Sequence, residues 1–567
     1  KDSQNSNLLG SNSIINTMYA SSMRLKTVKE SLNLEDRDYL ELYDRSWGNT
    51  ARRSMRGLLP DTKDIQTNSY PYSNPVVTND GGIIAYMSDS NSTDLNETRA
   101  SWAILSGSGE YTDMGSIQED FDEAYADNNL DIDGDSGFAA AAWEQQSIKI
   151  DTVGSLTELD ISAMINSSEI VAGIYDGSEW ETTPLTDNLV SDMAPAAAAN
   201  GNRAVVAWRS LAGSGTDGEG ADNPLVYDDV NDSILYKVYE NGVWTSETYT
   251  LYNSSSGNVK GLTAAMMPDG TTGIVYTLDY GTDDDAFDCE TILAVIDNEN
   301  KVIADIRLTN NDSADLNPQI AVADFGGEEG SKFVVGWYNV TEDGITDIKF
   351  VAADSLGNIS NEFIDSISSI NENSAVIITD SFKFAKKNNL SIDGFTIVWV
   401  EPTLEFDDTI NKNAENDCLK AVKFMRDSSG RIYLTAPLDV ATMSSFTLID
   451  HLDAYSDSPD TVKAVMLCST YDGQLEDQGN GVYTVDSVSS MKYAEKIFEN
   501  NINIRDIYID YNEIKNNFRL PIIFTVTNMG IEPISSINIE LQPDDVVEVF
   551  DNLNLLPNQS LSLTVYY

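Results

Sequence analysis

The best metal-binding candidate in the sequence is the stretch Asp127-Asn128-Asn129-Leu130-Asp131-Ile132-Asp133-Gly134-Asp135-Ser136-Gly137. Oxygen-bearing side chains at alternate positions, with a glycine for a sharp turn, are what a Ca²⁺ loop requires. Asn129, Asp131, Asp133 and Asp135 are therefore the candidate metal ligands, and calcium is the ion they imply. Set against D-x-D-x-D-G-x-x-D, Asn129, Asp131, Asp133 and Gly134 fall in register. Gly137 stands where the ninth-position carboxylate belongs, and no bidentate Glu occupies the twelfth. A polar hairpin between two strands accounts for the same residues, so both readings stay open.

Other chemistry is thinner. His451 is the only histidine, which leaves almost no room for Ser-His-Asp or Cys-His catalysis or for multi-histidine metal sites. Cys289, Cys418 and Cys468 are too few and too separated for a disulfide framework or a zinc site. They read as buried thiols, with a Cys418–Cys468 bridge between neighbouring repeats as the alternative. Glycosidases need only two carboxylates, but among 92 acidic residues some pair always looks suitable, so no catalytic residue is assigned. Gly213-Ser214-Gly215 and Gly218-Glu219-Gly220 lack the strand and helix of a phosphate site, and no cofactor-binding residue is assigned.

These residues must be positioned by a repeat. Seven apolar bursts follow Gly/Asp/Asn-rich turns: Ile83–Tyr86, Ala140–Trp143, Val205–Trp208, Gly273–Tyr276, Val334–Trp337, Thr396–Trp399 and a degenerate Ala464–Leu467. Their spacing of roughly 55 to 70 residues marks an array of small β-units. After the bursts come two strands around a hairpin turn, plainest in Ile170–Trp180 and Ile234–Trp244, and less so in Leu419–Tyr433 and Val482–Tyr493. Lead-in strands precede many bursts, as at Asn74-Pro75-Val76-Val77, Ala194-Pro195-Ala196-Ala197 and Asn317-Pro318-Gln319-Ile320. Four strands per unit cannot bury both faces of a sheet alone, whereas radially arranged units can. The aromatic that ends each burst is expected to pack between neighbours as core.

The chain thus resembles the seven-bladed β-propellers of secreted bacterial surface proteins, over residues 67–500. Residues 1–66 hold a cluster of arginines and read as a partly helical lead-in segment. Residues 501–567 carry Thr525-Val526-Thr527-Asn528-Met529-Gly530 and Leu555-Leu556-Pro557-Asn558-Gln559-Ser560. This pattern resembles the cell-adhesion-related (CARDB-like) immunoglobulin-like domains of bacterial exoproteins. A full sandwich runs to about 100 residues, so this copy is short and its parent is expected to continue towards a wall or membrane anchor. Asp176-Gly177-Ser178-Glu179-Trp180 is similar to the Asp-box turn of sialidases in its place in the hairpin, but the Ser position and the Asp–Gly spacing depart from it. Sialidases also need three arginines on a carboxylate; Arg99, Arg203, Arg209, Arg307, Arg426 and Arg431 share no motif, and sialidase activity is not expected.

The formal net charge is −58. Such a field repels nucleic acid and anionic lipid, because phosphate binding needs clustered Lys/Arg. No apolar run approaches the ~18 residues of a membrane span. The loops Asp89–Glu97, Asp217–Asp232, Asp279–Asp288 and Glu401–Asp417 would give one face of the disc an acidic collar. The expectation is an all-β, secreted or cell-surface protein, a monomer within a larger chain, that binds a glycan, cell-wall or protein partner without catalysis. A carbohydrate-active enzyme with paired carboxylates on the loop face, or a structural spacer, is the alternative.

Overall fold

The computed structural model describes residues 62–566 with interruptions, the longest at 149–166, 214–229 and 361–381. The lead-in segment up to residue 61 and the middles of the acidic loops lie outside the described residues. Among the described residues there is no helix. Seven antiparallel sheets succeed one another, and each apolar burst is the second strand of its sheet. The first strands are Val76–Val77, Asp127–Asp135, Ser191–Asn200, Asn258–Met266, Ala314–Asp324, Phe382–Phe384 and Thr447–Tyr455, which we number blades 1 to 7. Each first strand touches the first strands of the blades before and after it, and the seventh touches the first. The ring is therefore closed, with the first strands innermost, as in a seven-bladed propeller.

Second strands are buried on both faces, and their period of two divides the side chains between neighbours. In blade 1, Ile83, Ala85 and Met87 enter the core shared with blade 2, while Ile84 and Tyr86 enter the core shared with blade 7. Every interface between neighbouring blades has such a core. Tyr86, Trp143, Trp208, Tyr276, Trp337 and Trp399 all face the preceding blade and are buried. Leu467 of the degenerate copy faces blade 1 instead, and Met466 takes the side towards blade 6.

Blade 7 departs from the reading of a local fourth strand. Its third strand, Ser487–Ile497, pairs on its outer edge with Lys63–Thr67, so residues assigned to the lead-in segment complete the last blade. Lys63 lies opposite Tyr493, and Lys492 forms an ion pair with Asp64. The N-terminal strand thereby locks the ring.

Five strands between residues 502 and 566 form two further sheets. Ile502–Ile509, Pro521–Asn528 and Ser560–Tyr566 make one, and Ile534–Leu541 with Val546–Leu555 makes the other. They share a core of Phe524, Val526, Ile537, Leu555, Leu563 and Val565. The two motifs read in the sequence meet here: Asn528 Nδ2 donates to Leu555 O (2.9 Å), and Asn528 N to Gln559 O (3.0 Å).

Candidate functional site

The innermost strands carry a recurrent irregularity. A left-handed residue recurs at one position on or just before the first strands of blades 1 to 5: Asn74 (φ 40°), Asn129 (φ 47°), Ala194 (φ 50°), Gly261 (φ 66°) and Asn317 (φ 49°). In blades 2 to 5 the pairing slips at this residue, which makes it a β-bulge. Trp143, Trp208 and Trp337 lie opposite the extra residues in blades 2, 3 and 5. Proline follows at Pro75, ahead of its strand, and at Pro195 and Pro318, where the bulge tolerates the missing N–H.

This pattern places the four candidate metal ligands differently from a loop. They lie along the extended first strand of blade 2, not around one turn. Asn129 is the left-handed bulge residue, and its Nδ2 donates to Glu144 Oε1 at 2.7 Å. Asp131 Oδ2 accepts the Ala197 N–H (2.9 Å) and Asp133 Oδ2 the Ala199 N–H (2.8 Å), both from blade 3. Asp135 shapes the hairpin turn by accepting the N–H groups of Gly137 (2.8 Å) and Phe138 (3.0 Å). Only Asp131 and Asp133 come together, on the channel wall. Among the described residues no group of three or more His, Cys, Asp or Glu is gathered as a metal site.

At the end of the channel beside the turns that join first and second strands, Asp131, Asp133, Asp453, Lys383 and Lys386 line a cavity of about 120 Å³. Lys386 Nζ donates to Asp453 Oδ2 (2.9 Å), Val77 O (3.0 Å) and Ile132 O (3.1 Å), which belong to blades 7, 1 and 2. Asp453 Oδ2 also accepts the Val77 N–H at 2.9 Å. Burial pushes the Asp133 carboxyl up to about 6 and raises Asp131, in both cases against the pull of Lys386. Burial works against the Asp453 carboxylate too, but Lys386 and Lys383 hold it below the usual range. Burial likewise opposes the charge of Lys386, yet Asp453, Asp131 and Asp133 keep its ammonium above the ordinary lysine value.

Sequence reasoning missed a use of carboxylates that the fold repeats. A buried N–H next to a blade interface must find an acceptor, and an Asp or Glu side chain supplies it across the interface. Asp127 takes Ala100 N (3.0 Å), Glu144 takes Ala194 N (2.6 Å), Asp232 takes Val259 N (2.6 Å) and Asp417 takes Ile449 N (2.7 Å). Burial pushes Asp127 up to about 6 and Glu144 up to about 7. Asp232 and Asp417, counted in the sequence among the acidic loops, are thus interface ties. Four of the arginines are committed as well: Arg209 grips Asp232 with Nε and Nη2 (2.7–3.0 Å), and Arg307 binds Glu290 (2.8 Å). Arg203 Nη2 donates to Asn300 Oδ1 (2.6 Å) and Arg426 Nη2 to Phe325 O (2.9 Å), and none of these lines the cavity. The three cysteines are buried thiols, none in a disulfide.

No family model and no curated protein matches the chain. Solved structures with some likeness include a polysaccharide lyase of family PL25, an ulvan lyase bound to a GlcA–Rha3S saccharide (11% identity, 76% of this chain and 95% of that one, TM-score 0.39). Others are the subtype N11 neuraminidase-like protein of A/flat-faced bat/Peru/033/2010 (H18N11) (11%, 66% and 89%, 0.33) and an α-L-arabinofuranosidase mutant from Fusarium graminearum (10%, 76% and 97%, 0.33). At these scores the likeness carries no argument about chemistry. The propeller stands on its own strand pairing and ring closure.

Proposed function

We propose that this protein is a secreted or cell-surface binding protein without catalytic activity, whose propeller is a rigid disc that presents a ligand face to a glycan, cell-wall or protein partner. The observation that carries the reading is the state of the channel. Pockets that enclose small ligands run to roughly 300–1,000 Å³, whereas the cavity here measures about 120 Å³ and is crossed by Lys386. Each of its carboxylates gives Oδ2 to a backbone N–H of the next blade, and among the described residues the cavity is too small for a sugar ring. Residues 502–566 we read as an immunoglobulin-like spacer, supported by the two motifs that meet at Asn528 and Leu555. The acidic surface supports an extracellular partner that is neutral or basic.

One observation favours a carbohydrate-active enzyme instead. Asp133 is pushed up to about 6 while Asp453 is held low, and environments that drive two carboxyls apart are how acid and base roles are divided. A single experiment separates the readings. The protein is incubated with soluble and insoluble polysaccharides, and retention and released reducing ends are scored in the same tubes. Retention without release is expected; release that disappears in Asp133→Asn would overturn the non-catalytic reading.

A further inference from the structure

Asp131, Asp133 and Asp453 converge on one channel wall from two blades. Asp453 is buried, and Asp131 and Asp133 are half-buried; carboxylates drawn out of water need a counter-charge, because burial without one is costly. The chain brings that charge from a third blade. Lys386 follows the short first strand of blade 6, and its backbone is fastened to blade 7: Lys386 N donates to Ala454 O (2.8 Å), and Ser456 N to Lys386 O (2.9 Å). The side chain then spans the channel and directs all three ammonium protons to one carboxylate and two backbone carbonyls. Carboxylate and carbonyl oxygens are the ligand types that a hard metal cation collects.

We propose that the Lys386 ammonium is a built-in channel cation, which fills the role of a bound metal ion and pins blade 6 to blades 7, 1 and 2. Besides its seven interface cores, the ring then has two further fastenings, this pin and the strand Lys63–Thr67 on blade 7. The pin answers the need for positive charge at Asp131 and Asp133, the two calcium candidates that share the channel wall. It also gives a reason for the position of Lys386 in so acidic a chain: a cation that is covalently attached cannot be lost to dilution or chelation.

The test is chemical rescue in the full chain. Thermal melting is followed for the wild type, Lys386→Met and Lys386→Ala, each with n-propylammonium chloride, matched NaCl, 1-propanol or CaCl₂. Both variants should melt several degrees below the wild type. Propylammonium should raise Lys386→Ala beyond matched NaCl and 1-propanol. It should leave Lys386→Met, whose side chain fills the space, no better than the salt control. Melting of Lys386→Met with the wild type, or an equal rise in all three proteins, would overturn the proposal. So would a Ca²⁺-specific rise in the wild type that Asp131→Asn abolishes. If Lys386→Ala does not fold, the comparison moves to Lys386→Met in wild-type and Asp453→Asn backgrounds. A smaller loss in the Asp453→Asn background supports the pin, and equal losses sink it.

Discussion

Ala194 is the residue at which this molecule is most plainly out of tune with its own repeat. Blades 2 and 5 put asparagine at the left-handed bulge, as blade 1 does at the matching position, and blade 4 puts glycine, but blade 3 holds an alanine at φ 50°. A Cβ in that region meets the following carbonyl and costs roughly 1–2 kcal/mol, which glycine avoids and asparagine reduces. The bulge persists because the Ala194 N–H is held by Glu144 and Trp208 fills the space opposite. Ala194→Asn or Ala194→Gly is therefore expected to stabilise the protein by about 0.5–1 kcal/mol, read as a higher urea midpoint at unchanged slope. Gly261→Ala should do the reverse, since its Cβ would come within 2.9 Å of Pro318 Cδ. A destabilised Ala194→Gly would mean that the bulge is not strained. The same chemistry explains why Asn129 and its neighbours were legible as polar and special but not as bulge and interface residues. Asn and Asp are at once metal ligands, left-handed residues and acceptors for stray N–H groups, and a linear pattern cannot say which demand placed them.

Among the elements, what the sequence revealed is what is local. The bursts carry their own signature because a strand buried on both faces must be apolar throughout, and the hairpin turns carry theirs in residues such as Asp176, whose Oδ1 accepts the N–H groups of Ser178 and Glu179. The fourth strand of blade 7 was not legible, because Lys63–Thr67 finds its partner at the far end of the ring and is mostly exposed, so no apolar pattern marks it. The reversed facing of Leu467 was hidden for another reason: in a strand a shift of one residue changes the side, and only the pairing with the first strand fixes the count. The closing strand should matter more than its five residues suggest. Ser69 extends it, with its N–H on Ser489 O (2.9 Å) and its Oγ accepting the Met491 N–H (3.1 Å). Deletion through Ser69 should lower the melting temperature and raise amide exchange first along Ser487–Ile497, while blades 3 and 4 keep their protection. Unchanged exchange in that strand would show that the Lys386 pin and the blade 7–blade 1 core close the ring unaided.

At the scale of the whole molecule, the carboxylates set how stability answers to pH. Burial pushes Asp127 up to about 6 and Glu144 up to about 7, and it raises Asp192 and Asp315 as well. Unfolding returns these groups to water and to ordinary carboxyl behaviour. Between the unfolded and folded values the native state holds more protons than the unfolded chain, so stability must fall as pH rises through that window. Their contribution is full below about pH 4 and is lost by about pH 7. Asp80 and Asp453 act in the opposite sense. Burial disfavours both carboxylates, but Ser136, Gly82 and Thr78 hold Asp80 low and Lys386 holds Asp453 low, so their contribution disappears as pH drops through the acid range. The formal charge of −58 adds to the first trend, because ionisation increases self-repulsion in the compact state. Melting temperature at constant ionic strength should therefore peak near about pH 5 and decline steadily towards neutrality. Glu144→Gln isolates the cause: its Oε1 can still accept from Ala194 N, but the site no longer takes up a proton. The variant should show a flatter decline between about pH 5 and 7. If its slope matches the wild type, the decline belongs to surface repulsion and added salt should remove it, because screening acts on exposed charges and hardly on a carboxyl enclosed between two blades.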